Sequence, residues 1–199
     1  MSSLQIERKI RQFQKAVFTL EDIALLAAQK KSSASVTAHR LVKKGILHHI
    51  ERRRFCAAGE DSKAVASQII RPSFISFRSA LFLHGGTTQI PRGLQVACLR
   101  NRRALSYMGE RISFHRLPAK AFGGFEPNRV GQKIYFLASK EKAIADCIAH
   151  PALCPLDEVK EAAGRFGAEL DRKKCMEYAS AYSSKSAKKR MKEVLSYGA

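Results

Sequence analysis

Residues 19–56 constrain this chain more than any other stretch. Thr19 is a good N-cap, and Asp22 stands three residues on as a capping-box variant, so a helix opens there. Ile23, Leu25 and Leu26 supply its apolar face. Ser32 to Gly45 reads as a second helix with a glycine stop. On a helical wheel Ala34, Ala38 and Leu41 share one side, small enough to pack closely on other helices. Val36, His39, Arg40 and Lys43 follow an i, i+3, i+4, i+7 course on the other side, which carries no acidic group. Ile46 to Cys56 then reads as a short hairpin with Arg52, Arg53 and Arg54 at its tip. Two helices at a fixed turn followed by a basic hairpin predict a winged helix-turn-helix, a shape that enters a DNA groove.

The rest of the chain must form a second core. Its 199 residues are 45% hydrophobic, enough for one or two small cores. Leu4, Ile6, Ile10, Phe13 and Val17 predict an amphipathic first helix. Glu60, Asp61 and Ser62 mark a boundary, which divides the chain into residues 1–60 and 61–199. Beyond it a helix is expected over 63–70, a strand over Phe74–Phe77, and a helix over Arg78–His84 stopped by Gly85 and Gly86. Leu94–Leu99, Ile112–Leu117 and Lys133–Ala138 read as strands. Ser139 caps a helix to about Ala149, with Ala143, Ile144, Cys147 and Ile148 inward. Pro155–Phe166, Asp171–Ala181 and Ser184–Tyr197 read as helices. The expected class is α+β: an N-terminal winged helix-turn-helix, then a mixed α/β domain ending in helices.

Charge narrows the partner. The 36 Lys+Arg against 17 Asp+Glu give a formal net charge of +19, which calls for a polyanion, most simply nucleic acid. Residues 1–56 hold 12 of the basic side chains and 4 of the acidic ones, an excess of 8. Arg40 is the best placed for a bidentate guanine contact. Ser35 and His39 can add weaker bonds, beside the short Ser33 and the apolar Val36. Lys43, Lys44, Arg52, Arg53 and Arg54 are expected on phosphates. No stretch approaches a membrane span, and Met1–Arg8 holds no apolar signal core, so no membrane partner is expected. The five scattered cysteines include no CxxC pair, and reduced thiols in a cytoplasm are the simplest reading. The six histidines lack ligand spacing, so neither a metal nor another cofactor is expected.

Several short runs of the second half carry a resemblance. Pro72–Gly85, Gln89–Pro91, Phe114–Pro118, Gly124–Glu126 and Ala138–Asp146 follow one another in order after the winged helix. Together they resemble the AbiEi family of antitoxins from type IV toxin–antitoxin systems, over about residues 15–150. The resemblance implies two jobs. The winged helix would repress its own operon by binding an inverted repeat in promoter duplex DNA. The C-terminal domain would counteract a cognate nucleotidyltransferase-like toxin. Gln89, Pro91, His115, Arg116, Glu126 and Lys140 are the motif residues it points to, although Pro91 and Glu126 also suit simple turns. Relatives of this layout also occur as stand-alone regulators.

An enzyme is the rival class. Metal-dependent nucleases need clustered carboxylates. Glu141 and Asp146 lie five apart on one helix and do not share a face. Glu141 is expected to complement the helix N-terminus, and Asp146 to make a local polar contact. No GxSxG run supports hydrolysis by Ser73, Ser76 or Ser79 with His84 or His115. No Gly-Ser turn with paired aspartates supports nucleotidyl transfer. An RNA-binding role has the charge in its favour, but no row of exposed aromatics for stacking: Phe114 and Phe136 read as core. The expectation is a protein without catalytic activity.

Overall fold

The computed structural model describes residues 2–197. They form two compact units: residues 2–69 with 128–135, and residues 70–127 with 136–197.

The first unit begins with α1 (Ser3–Gln12), capped by a reciprocal box between Ser2 and Gln5. There follow β1 (Phe18–Thr19), α2 (Leu20–Leu26), α3 (Lys31–Lys43), β2 (Leu47–Glu51), β3 (Arg54–Ala57) and α4 (Ser62–Gln68). The three strands make one antiparallel sheet in the order β1-β3-β2. This is the winged helix-turn-helix arrangement, with β2 and β3 as the wing. Thr19 and Asp22 form the expected capping box on α2. Ile6, Ile10, Phe18, Ile23, Leu26, Ala38, Leu41, Ile46, Leu47 and Phe55 make the core. Each large aliphatic side chain buried there contributes about 1.5–3 kcal/mol.

Three apolar residues expected to face that core do not. Leu4, Phe13 and Leu25 are 76%, 48% and 81% exposed. One turn of α1 needs only Ile6 and Ile10 to reach the core, and α1 stops at Gln12, so Phe13 and Val17 lie beyond the helix. Lys133 closes that end. Its ammonium donates to the carbonyls of Ile10 and Phe13 at 2.8 Å and of Lys15 at 3.3 Å. Glu60 lies 3.5 Å away. A cation on the last carbonyls of a helix meets the negative end of its dipole. Burial pulls the Lys133 ammonium below its usual range, and Glu60 opposes that pull.

The second unit holds β4 (Ser73–Ile75), α5 (Phe77–Leu83), β5 (Leu94–Cys98), β6 (Leu105–Tyr107) and β7 (Glu110–Arg116). After a 3-10 turn come β8 (Phe125–Val130) and β9 (Lys133–Ala138), then α6 (Lys140–Ala149), α7 (Leu156–Phe166), α8 (Arg172–Ala181) and α9 (Lys185–Tyr197). The six strands order as β6-β7-β5-β4-β9-β8. β4 runs antiparallel to β5 and parallel to β9, and β5 runs parallel to β7. The sheet is therefore mixed, and the chain ends in helices, as expected. Residues 128–135, the tip of the β8–β9 hairpin, count with the first unit.

Phe77 departs from expectation. It opens α5 rather than closing the strand, with φ at +56°, a region a bulky residue rarely enters. Its ring is fully buried and meets His115 and His150 edge-on, with centroids 5.1 and 5.4 Å away. Those contacts hold a backbone that costs about 1–3 kcal/mol.

Candidate nucleic-acid interface

The turn between α2 and α3 is set by hydrogen bonds rather than by glycine. Ala28 has φ at +52°. Its N–H donates to Leu25 at 3.1 Å, and that of Gln29 to Ala24 at 3.0 Å. This is a Schellman closure with alanine in the left-handed position. Thr37 Oγ1 donates to Gln29 Oε1 at 3.0 Å, tying α3 back to the turn. α3 ends in the same way. Gly45 has φ at +67°, its N–H donates to Val42 at 2.9 Å, and the Ile46 N–H donates to Leu41 at 2.9 Å. The chain then leaves directly into the wing.

Ala34, Ala38 and Leu41 are buried, so the opposite face of α3 points outward. Ser33, Ser35, Val36, His39, Arg40 and Lys43 are all exposed there. Arg40 and Lys43 have no ion-pair partner among the described residues. Neither do Arg52 and Arg53, which form the exposed tip of the wing. Arg53 has φ at +60°, the left-handed residue that closes the hairpin.

Two of the residues expected on phosphates also make bonds within the unit. Lys44 Nζ donates to Ser3 Oγ at 2.8 Å, tying the end of α3 to α1. Arg54 is half-buried and pairs with Glu51 at 3.0 Å, bracing the wing across its turn. At the other end of α3, Lys31 pairs with Glu21 at 2.6 Å. That hydrogen bond pulls the Glu21 carboxyl down to about 2.

Ser35, His39 and Val42 of α3 and His49 and Phe55 of the wing line one shallow groove. His49 stacks at a tilt on Phe55, with centroids 5.2 Å apart. Sequence reasoning missed His49, and the exposed Lys30 at the N-cap of α3. The pairing register shifts between His49 and Glu51. That irregularity leaves His48 and His49 both exposed, which strict alternation does not anticipate. Lys30 just before the helix carried a signal in its charge alone.

The motif residues of the second unit do not converge on one place. Gln89 is exposed, and its N–H donates to Thr87 Oγ1 at 3.2 Å. Pro91 lines a small pocket with Arg78 and Arg111. A ring nitrogen of His115 meets Ser113 Oγ at 3.1 Å. Burial holds the His115 imidazole below its usual range, and His150 adds to that effect. Arg116 ends β7 and Glu126 lies on β8, both exposed. Lys140 pairs with Glu169 and sits 5.2 Å from the centroid of the Phe166 ring.

Asp146 does far more than a local polar contact. It is fully buried and accepts from Lys142 Nζ, Ser76 Oγ and the Tyr182 hydroxyl. Lys142 is fully buried as well. Burial raises the Asp146 carboxyl and lowers the Lys142 ammonium, and each partner opposes the other's shift. The network joins the start of α5, α6 and the end of α8. Three residues from the resemblance-bearing runs, Ser76, Lys142 and Asp146, therefore serve the fold of this unit. Glu141 is spent differently: its Oε1 accepts the N–H of Asp171 at 3.3 Å. Among the described residues no three His, Cys, Asp or Glu side chains gather to hold a metal ion. All five cysteines are buried and lie outside any disulfide. No described helix is long and apolar enough to cross a membrane.

No protein-family model matches the chain, and neither does any curated protein. Among solved structures it is similar to the RV2827C protein from Mycobacterium tuberculosis, with a TM-score of 0.65 at 15% identity. The match covers 98% of this chain and 76% of that one. At that identity the likeness is one of fold.

Proposed function

We propose that this protein is a DNA-binding transcriptional regulator. The observation that carries the reading is the outward face of α3 with the wing beside it. Arg40, Lys43, Arg52 and Arg53 stand there without acidic partners, along a groove framed by Ser35, His39 and His49. Arg40 is the side chain for a base edge, since a guanidinium matches the two acceptors of guanine. Lys43, Arg52 and Arg53 are placed for phosphates, and Lys30 joins them at the start of α3.

Full-length protein should bind duplex from its own promoter more tightly than random duplex or structured RNA. With about four phosphates neutralised, log K should fall against log salt with a slope of roughly −3.6. Arg40→Ala should cost about 1–3 kcal/mol on the promoter and relax preference at one position. Arg53→Gly should weaken every duplex alike without loss of stability, since glycine accepts φ near +60° freely. Equal affinity of Arg40→Ala and the parent for the promoter would remove α3 from the groove.

The finer reading, an autorepressor that is also the antitoxin of a type IV system, rests on the ordered AbiEi-like runs. Its antitoxin half falls to the exposed motif residues Gln89, Arg116 and Glu126. Co-expression with a nucleotidyltransferase-like toxin encoded beside it tests this. Protection should persist in Arg40→Ala and fail in Arg116→Ala. The reverse pattern would leave repression alone as the protein's job.

A further inference from the structure

The second unit holds a pocket of about 200 Å³ that the DNA reading does not use. Three arginines enclose it: Arg78 from α5, Arg92 from the loop before β5, and Arg111 from β7. Parallel pairing sets Gln95 opposite Ser113 on β5 and β7. The period of two puts Arg111 on the same face as Ser113, so Gln95 and Arg111 share one floor.

The loop is fixed by Gly93. Its φ is +140°, and a Cβ there would lie 2.2 Å from the carbonyl oxygen of Arg111. Only glycine lets the loop lie against β7 at that point. Ser79 Oγ donates to the Gly93 carbonyl at 3.2 Å and accepts from the Gln95 N–H at 2.9 Å. One hydroxyl thereby ties α5, the loop and β5 together, and the arginines project from a braced frame.

Two buried polar atoms there have no partner: Nε of Arg78 and Oε1 of Gln95. Each such atom costs about 1–3 kcal/mol unless something completes it. The charge is also incomplete. Arg78 pairs with Glu158, which cancels one guanidinium. Arg92 and Arg111 have no ion-pair partner among the described residues, so the pocket keeps two positive charges.

We propose that this pocket binds the terminal phosphate of a small phosphate monoester. A monoester offers up to two negative charges and three terminal oxygens, which matches two uncompensated charges and three guanidiniums able to bond in forks. A phosphodiester offers one charge and two free oxygens. The unpartnered Gln95 oxygen calls for a donor, which the ligand's own hydroxyl or a monoprotonated phosphate supplies. The volume lies below the roughly 300 Å³ at which pockets for drug-sized ligands begin. It therefore takes the phosphate and its nearest atoms, and the rest of the ligand stays outside.

Calorimetry on the full-length protein, in a chloride buffer without phosphate, tests this. The probes are inorganic phosphate, adenosine 5′-monophosphate, its 3′,5′-cyclic diester and sulfate. The two monoanionic-to-dianionic phosphates should bind at least 10-fold more tightly than the cyclic diester. Arg92→Gln and Arg111→Gln should each weaken them about 10-fold with unchanged melting temperature, and Arg111→Lys should restore only part. Equal binding of diester and monoester, or wild-type affinity in both glutamine variants, would overturn the proposal. A duplex DNA arm separates the sources. If duplex displaces phosphate, and Arg111→Gln weakens both alike, the pocket reads nucleic-acid backbone and the proposal fails.

Discussion

Asp146 shows how much a single buried charge can demand. Its carboxylate needs Lys142, Ser76 and Tyr182 together, because burial opposes its ionised form. Lys142→Met should destabilise the protein by about 3–5 kcal/mol, since it strands a buried charge. The double variant Lys142→Met, Asp146→Asn should recover most of that loss, because an amide oxygen still accepts from both hydroxyls. Urea unfolding of both variants reads the difference, and equal losses would show that Asp146 does not need its cation. Asp22 works at the surface by a milder version of the same chemistry. Partial burial opposes its charge, but hydrogen bonds from Lys15 and Thr19 outweigh that and hold the carboxyl below its usual 3.8. A depressed carboxyl stabilises fully above its unfolded pKa and loses that contribution as pH falls through the folded value. Asp22→Asn should therefore cost roughly 1 kcal/mol at pH 7, as for a lost helix cap. Melting curves of variant and parent should begin to converge as pH falls below about 3.8 and meet once it passes the lower folded value.

Elements were legible where one face of the pattern was strong. The capped start of α2, the small-residue face of α3, the hairpin, β9 and α6 through α9 all lie within a residue or two of expectation. The elements that escaped are short or polar. β1 is two residues, and β6 is three. β8 reads Phe-Glu-Pro-Asn-Arg-Val, with a proline that speaks against a strand and is tolerated here on an outermost one. Of the candidate interface, the exposure of Arg40, Lys43, Arg52 and Arg53 was legible because charge and wheel position agree. The bonds of Lys44 to Ser3 and of Arg54 to Glu51 were not legible, because they depend on tertiary placement and on a turn. The arginine pocket was invisible because residues 78, 92 and 111 come from a helix, a loop and a strand that meet only in the folded unit. The α2–α3 turn was hidden for another reason: it uses alanine where glycine normally signals. That yields a test at this scale. Ala28→Gly should raise stability by about 0.5–1 kcal/mol, because glycine occupies φ near +52° without the Cβ penalty. A fall in melting temperature would show that the turn relaxes in solution.

Taken whole, the molecule commits its acids to structure and leaves its bases over. Glu21, Glu51, Glu158 and Glu169 each sit in an ion pair, and Asp146 lies in the core. Among the described residues no three His, Cys, Asp or Glu side chains gather as metal-holding catalysis requires. Purified protein with Mg²⁺ or Mn²⁺ should neither cut DNA or RNA nor transfer nucleotides. Glu141→Ala should change only the melting temperature, slightly. Metal-dependent turnover that vanished in that variant would restore the nuclease reading. The hairpin tip at residues 128–135 has one more consequence. Because it counts with the first unit, the chain passes from one unit to the other three times: after residues 69, 127 and 135. A single cut just after residue 69 therefore severs one thread of three. The N-terminal fragment would still hold Lys133 through the carbonyls of Ile10, Phe13 and Lys15, so the two fragments should travel together on a sizing column. The same stitching binds heredity: no single crossover between genes can exchange the first unit of this protein and leave the second whole.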